Sequence, residues 1–112
     1  MMLMKSPMGS LKKVDLEARF FYGLADPTRL AILNFLVGQE RSVNEIAAYV
    51  GSSQSCISNH LTCLRNGHFV CVRQEGCKVY YSLRHSDIRE LIKLAEKLVR
   101  SHAQEMAKCC GE

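Results

Sequence analysis

The chain has 112 residues, enough for one domain with a modest core and too few for a catalytic domain joined to a regulatory one. Its 15 Lys and Arg against 11 Asp and Glu leave a net +4, a balance that suits a polyanionic partner and ordinary solubility equally. No apolar run approaches the roughly 20 residues of a membrane span, and the first four residues are too short for a signal-peptide core, so a cytoplasmic protein with no membrane partner is expected.

Residues 1–10 mix Met, Ser, Pro and Gly without periodicity and are expected to be a flexible tail ahead of one domain over residues 11–108, with 109–112 as a cysteine-containing tail. Leu11, Val14, Ala18 and Phe21 mark one face of a first helix over 11–24. Asp26-Pro27-Thr28-Arg29 then supplies a cap and a proline at the first helical position, and a largely buried second helix runs to Gly38. Ser42-Val43-Asn44-Glu45 is a capping box opening a short third helix that stops at Gly51. Ser53 caps a fourth helix over 53–66, with Ile57, Leu61 and Leu64 turned inward and Gly67 ending it. Residues 68–73 and 78–83 flank Gln74-Glu75-Gly76-Cys77 as a β-hairpin. A long helix follows, capped by Ser86, whose stripe from Ile88 through Leu91, Ile92, Ala95, Leu98, Val99 and His102 to Met106 requires a partner surface. The class is therefore mainly α with a small β-hairpin: a winged helix-turn-helix.

Ala47, Gly51 and Ile57 have the spacing of a helix-turn-helix: a small residue where two helices cross, a glycine at the turn and a branched plug. That leaves Ser53, Gln54, Ser55, Ser58, Asn59, Thr62 and Arg65 on the outer face of the fourth helix. These groups reach base edges and phosphates without a carboxylate, and no acidic residue lies between Gly51 and Val72. Arg73 and Lys78 on the hairpin extend the cationic character to a flanking wing, and double-stranded DNA is the implied partner. No nucleophile and base pairing, phosphate-cradling glycine loop or paired catalytic carboxylates stand out, so no enzyme, organic cofactor or small organic substrate is expected. A protein-docking role for the fold is disfavoured by the polar, acid-free helix face.

Leu24-Ala25-Asp26-Pro27-Thr28-Arg29-Leu30-Ala31-Ile32-Leu33, Ser55-Cys56-Ile57-Ser58-Asn59-His60-Leu61-Thr62-Cys63-Leu64-Arg65 and Glu75-Gly76 with Val79-Tyr80-Tyr81-Ser82-Leu83 together resemble the ArsR/SmtB family of small metal-responsive repressors. The resemblance implies a homodimer built from the first and last helices, with reading helices in successive major grooves of an operator. Two-fold symmetry then sets half-sites about 34–36 Å apart.

Six cysteines, none in the paired spacing of a closed zinc site, suit a thiophilic inducer such as cadmium, lead, zinc or arsenite. Within the family the run from Ser58 to Arg65 is most similar to the cadmium/lead-sensing CmtR type, which implies Cys63 as a ligand joined by Cys109 or Cys110. Where that type has a second helix-end cysteine this chain has Gly67, leaving His68 or Cys71 as substitutes. Cys56 is expected to pack beneath the reading helix, His60 to pack or touch phosphate, and Cys77 to be an incidental exposed thiol. The competing reading is a redox or persulfide sensor, in which two thiols are oxidised and no ion is bound.

Overall fold

The computed structural model describes the backbone from residue 9 to residue 110 and side-chain surroundings from 12 to 105. Of the tail expected over residues 1–10, residues 1–8 lie outside that range, and Gly9 and Ser10 belong instead to helix α1, Gly9–Leu24, which starts two residues before Leu11. It is followed by α2 (Pro27–Leu36), β1 (Arg41–Ser42), α3 (Val43–Val50), α4 (Gln54–Asn66), β2 (Val70–Glu75), β3 (Lys78–Leu83) and α5 (Ser86–Cys110). The last helix begins at Ser86 itself, so the serine is its first residue and not its cap.

The local signals act as the chemistry requires. Asp26 caps α2 by accepting from the Arg29 amide at 3.0 Å, ahead of Pro27, whose missing N–H has no helical partner to lose. Ser42 and Glu45 close the capping box on α3, at 3.1 Å and 2.8 Å. Gly51 then turns the chain at φ 78, and its amide and that of Ser52 both donate to the Ala47 carbonyl. Helix α4 ends at Gly67 for a different reason than a left-handed turn. Gly67 has φ −84, and the left-handed residue is His68 at φ 64. A Cβ on Gly67 would lie 2.8 Å from the Phe69 ring, and one on Gly23 of α1 would lie 2.9 Å from it. The two glycines are thus the seat of a buried aromatic ring. This arrangement also moves the hairpin: strand β2 begins at Val70 and not at His68, because residues 68–69 turn the chain and insert the ring.

The three strands form one antiparallel sheet in the order β1-β3-β2. Gly76, at φ 62, and Cys77 join β2 to β3 beyond the Glu75–Lys78 pair. Strand β1, absent from the sequence reading, pairs Arg41 with Tyr81 and Ser42 with Tyr80. One core gathers Ile32, Leu33 and Leu36 of α2, Ile46 of α3, Ile57, Leu61 and Leu64 of α4, then Phe69, Val70, Ile88 and Ile92. The apolar stripe of α5 is only partly used by it. Leu94, Leu98 and Val99 stay exposed, as do Val14, Leu16, Phe21 and Tyr22 of α1. Phe21 and Leu24 of α1, Leu30 of α2, and Leu91, Ala95 and Val99 of α5 line an open apolar groove of about 370 Å³.

The Asp26 cap carries a pH prediction. The Arg29 amide does most to hold its carboxyl below the ordinary value of 3.8; desolvation opposes it, and the nearby His60, the Arg29 charge and the Thr28 amide each add a smaller downward pull. A depressed native pKa stabilises the fold above the unfolded value and loses that contribution as pH falls through the native one. Asp26→Asn keeps a capping oxygen without the titration. Its melting temperature is expected to fall less than the parent's between about pH 5 and pH 3, and parallel losses would remove Asp26 from the acid response.

Candidate nucleic-acid interface

Helix α4 stands on the core through Ile57, Leu61 and Leu64, each at most 1 % exposed, which fixes the opposite face outward. Gln54, Ser55, Ser58, Asn59, Thr62 and Arg65 are all exposed on it. The backbone already uses some of their capacity. The Ser53 hydroxyl oxygen caps the helix by accepting from the Cys56 amide at 3.2 Å, which leaves its hydrogen to give. The Thr62 hydroxyl donates to the Ser58 carbonyl at 2.9 Å, which leaves its oxygen to accept. Ser55, Ser58, Asn59 and Arg65 are the unencumbered groups among the described residues.

Two partners of this face were not anticipated. Asn44, exposed in the first turn of α3, accepts a hydrogen bond from the Gln54 side chain and so orients that amide. In the sequence Asn44 stands out only as an inner residue of the Ser42–Glu45 capping box. Glu40, just ahead of β1, takes Arg73 in a two-pronged ion pair with Nε and Nη2 at 3.0 Å and 2.8 Å. Glu75 holds Nη1 of the same guanidinium at 2.7 Å, which itself lies 4.7 Å over the Tyr80 ring. Arg73 therefore differs from Lys78, which is exposed near the hairpin tip without an ion pair among the described residues.

The thiols are placed more openly than expected. Cys56, Cys63, Cys71 and Cys77 are all free and exposed. For Cys56 this corrects the packing role: Ile57 fills the space beneath the first turn, and its predecessor is rotated out to solvent. His60 is partly buried, with Nδ1 3.8 Å from Asp26 Oδ2, joining α4 to the start of α2. His68 is exposed just after α4, and Cys71 sits on β2 opposite Ser82. Among the described residues no three His, Cys, Asp or Glu side chains come together as a metal site, so those residues of one chain do not by themselves fit an ion. Cys109 and Cys110 end α5, and their side chains lie outside the described residues.

Known proteins place this geometry. The profile of the bacterial regulatory protein arsR family matches residues 26–70, which is α2, the helix-turn-helix and the entry to the hairpin. A Streptomyces lividans protein described as "Probable mercury resistance operon repressor" is 40 % identical over 96 residues, covering 86 % of this chain and 76 % of its own. The crystal structure of Mycobacterium tuberculosis Rv0081 superposes with a TM-score of 0.80 at 36 % identity, over 84 % of this chain and 95 % of that one. The homodimeric winged helix-turn-helix DNA-binding domain Mb0332 from Mycobacterium bovis gives 0.79 at 31 % identity, over 87 % and 90 %. The chain thus shares the fold of these regulators and belongs to the arsR family of bacterial transcriptional regulators, not to the enzymes.

Proposed function

We propose that the protein is a homodimeric operator-binding repressor that a thiophilic ion releases from DNA. The observation that carries the reading is the outer face of α4: polar, free of acid and held rigidly on an apolar stripe. Ser53, Gln54, Ser55, Ser58, Asn59 and Thr62 offer donors and acceptors to major-groove base edges, while Arg65 and Lys78 offer charge to flanking phosphates. The seam between protomers is the exposed apolar surface of α1 and α5, where Leu98, Val99 and Phe21 stay exposed beside an apolar groove. A two-fold dimer through that seam presents two reading helices to one face of the duplex.

Support for the inducer is chemical. Exposed thiols lie on the reading helix at Cys63 and on the wing at Cys71, soft donors suited to cadmium, lead, zinc or arsenite, with Cys109 and Cys110 to complete a set. Cys63 and the reading face share one helix, so inducer and operator are expected to oppose one another, each lowering the other's affinity by the same factor. The test is an operator titration with each ion on the parent, Cys63→Ser and Cys109→Ser/Cys110→Ser. Parent protein is expected to lose roughly 30- to 1,000-fold in affinity with the inducing ion, and both variants to lose that response. Release from every variant alike would sink the Cys63 site. The four exposed thiols also support a second reading, in which two thiols give two protons and two electrons to a peroxide and join as a disulfide. A response that survives chelation marks that case.

A further inference from the structure

We propose that Arg73 is the clamp that sets the angle of the wing, and that it does not contact operator phosphate. The inference rests on the DNA-binding reading above and deepens it. Arg73 sits on β2, at one edge of the sheet, and its register partner is Tyr80 on the central strand β3. Its side chain crosses the Tyr80 ring and reaches Glu40, which leads into β1 at the other edge. One side chain therefore reaches from β2 past β3 to the residue that leads into β1, and its partner Glu40 lies 33 residues away in sequence.

Charge and geometry agree on the role. Every nitrogen of the guanidinium is engaged: Nε and Nη2 by Glu40, and Nη1 by Glu75. A fork-on-fork pair of this kind fixes orientation as well as attraction. The cluster holds one positive group against two negative ones, so its sum repels phosphate unless a carboxylate is first displaced. Lys78, across from Glu75 at the tip, is free to supply the wing's charge. Glu40 also stands next to Arg41 and Ser42, and Ser42 caps α3, so the same ion pair ties the wing root to the start of the helix-turn-helix.

Two measurements on the full chain separate the alternatives. In the free protein, Arg73→Gln and Glu40→Gln are each expected to speed amide hydrogen exchange across β2 and β3 while leaving α4 protected; unchanged exchange overturns the clamp without any reference to DNA. In operator binding, both variants are expected to lose about three- to tenfold in affinity, and the double variant to lose no more than Arg73→Gln alone. The slope of log affinity against log salt should stay at the parent value for Arg73→Gln, whereas Lys78→Gln reduces its magnitude by about 1. A tighter operator complex for Glu40→Gln, or a slope reduced by Arg73→Gln, makes Arg73 a phosphate contact and overturns the proposal. A parent protein with flat salt dependence fails the DNA reading instead and leaves the exchange experiment to decide the clamp.

Discussion

Phe69→Ala is expected to destabilise the protein by roughly 3–5 kcal/mol, the range for emptying a fully buried aromatic site. The ring is 1 % exposed, lies 4.8 Å from the Phe20 ring and is seated against Gly23 and Gly67. Two of its neighbours are glycines, which have no side chain to move into the space, so the site collapses little on that side. Domains of this size hold only about 5–15 kcal/mol in total, so the melting temperature should drop by roughly 15–30 °C. Gly67→Ala probes the same seat from the other side. Its Cβ at 2.8 Å from the ring forces a shift costing about 1–3 kcal/mol, despite alanine's better helix propensity. A Phe69→Ala variant that melts within a few degrees of the parent would show that the ring is not what holds α1 to the end of α4.

Ser58→Glu should separate binding from folding. The residue is exposed in the middle of α4, where glutamate is at least as good a helix former as serine, so the variant should melt no lower than the parent. On the DNA side it places a carboxylate on a face that carries none, and like charges brought together at an interface cost several kcal/mol. Operator affinity is expected to fall by about 100-fold or more, against at most about tenfold for Ser58→Ala, which removes one hydroxyl. Gel-shift or anisotropy titrations at one fixed salt concentration measure both. Parent-like affinity for the glutamate variant would remove this face of α4 from the DNA.

The caps of α2, α3 and α4 and the turn of the hairpin were legible because each is decided within a few residues, whereas the Ser86 cap and a strand beginning at His68 were misread. Asp26 with Pro27, Ser42 with Glu45, Gly51 and Ser53 all bond to backbone no more than a turn or so away. The inward stripe of α4 was legible for the same reason, and with it the outward face. What escaped was set across the fold. Strand β1 is two residues long, too short to show an alternating pattern. Gly67 reads as a helix stop, yet its actual constraint is a ring two residues on that also touches Gly23. Arg73 reads as a free cation on a wing, and nothing near it in sequence points to Glu40. Cys56 reads as a packing residue, yet it adjoins the buried Ile57, and one step along a helix turns a side chain by about 100°.

Ser42 bears on how length can vary in such a chain. It pairs with Tyr80 in the sheet and caps α3 in the same position, so the connection entering it has two structures to satisfy at once. A residue inserted next to Ser42, between strand and helix, cannot keep both the Tyr80 pairing and the cap of α3, and so disturbs the aim of α4. Beyond the Glu75–Lys78 pair the hairpin has only the Gly76–Cys77 turn, and residues added there lengthen the wing while its root keeps its frame. The fold thus separates a segment whose length is fixed from one whose reach along a duplex can be tuned.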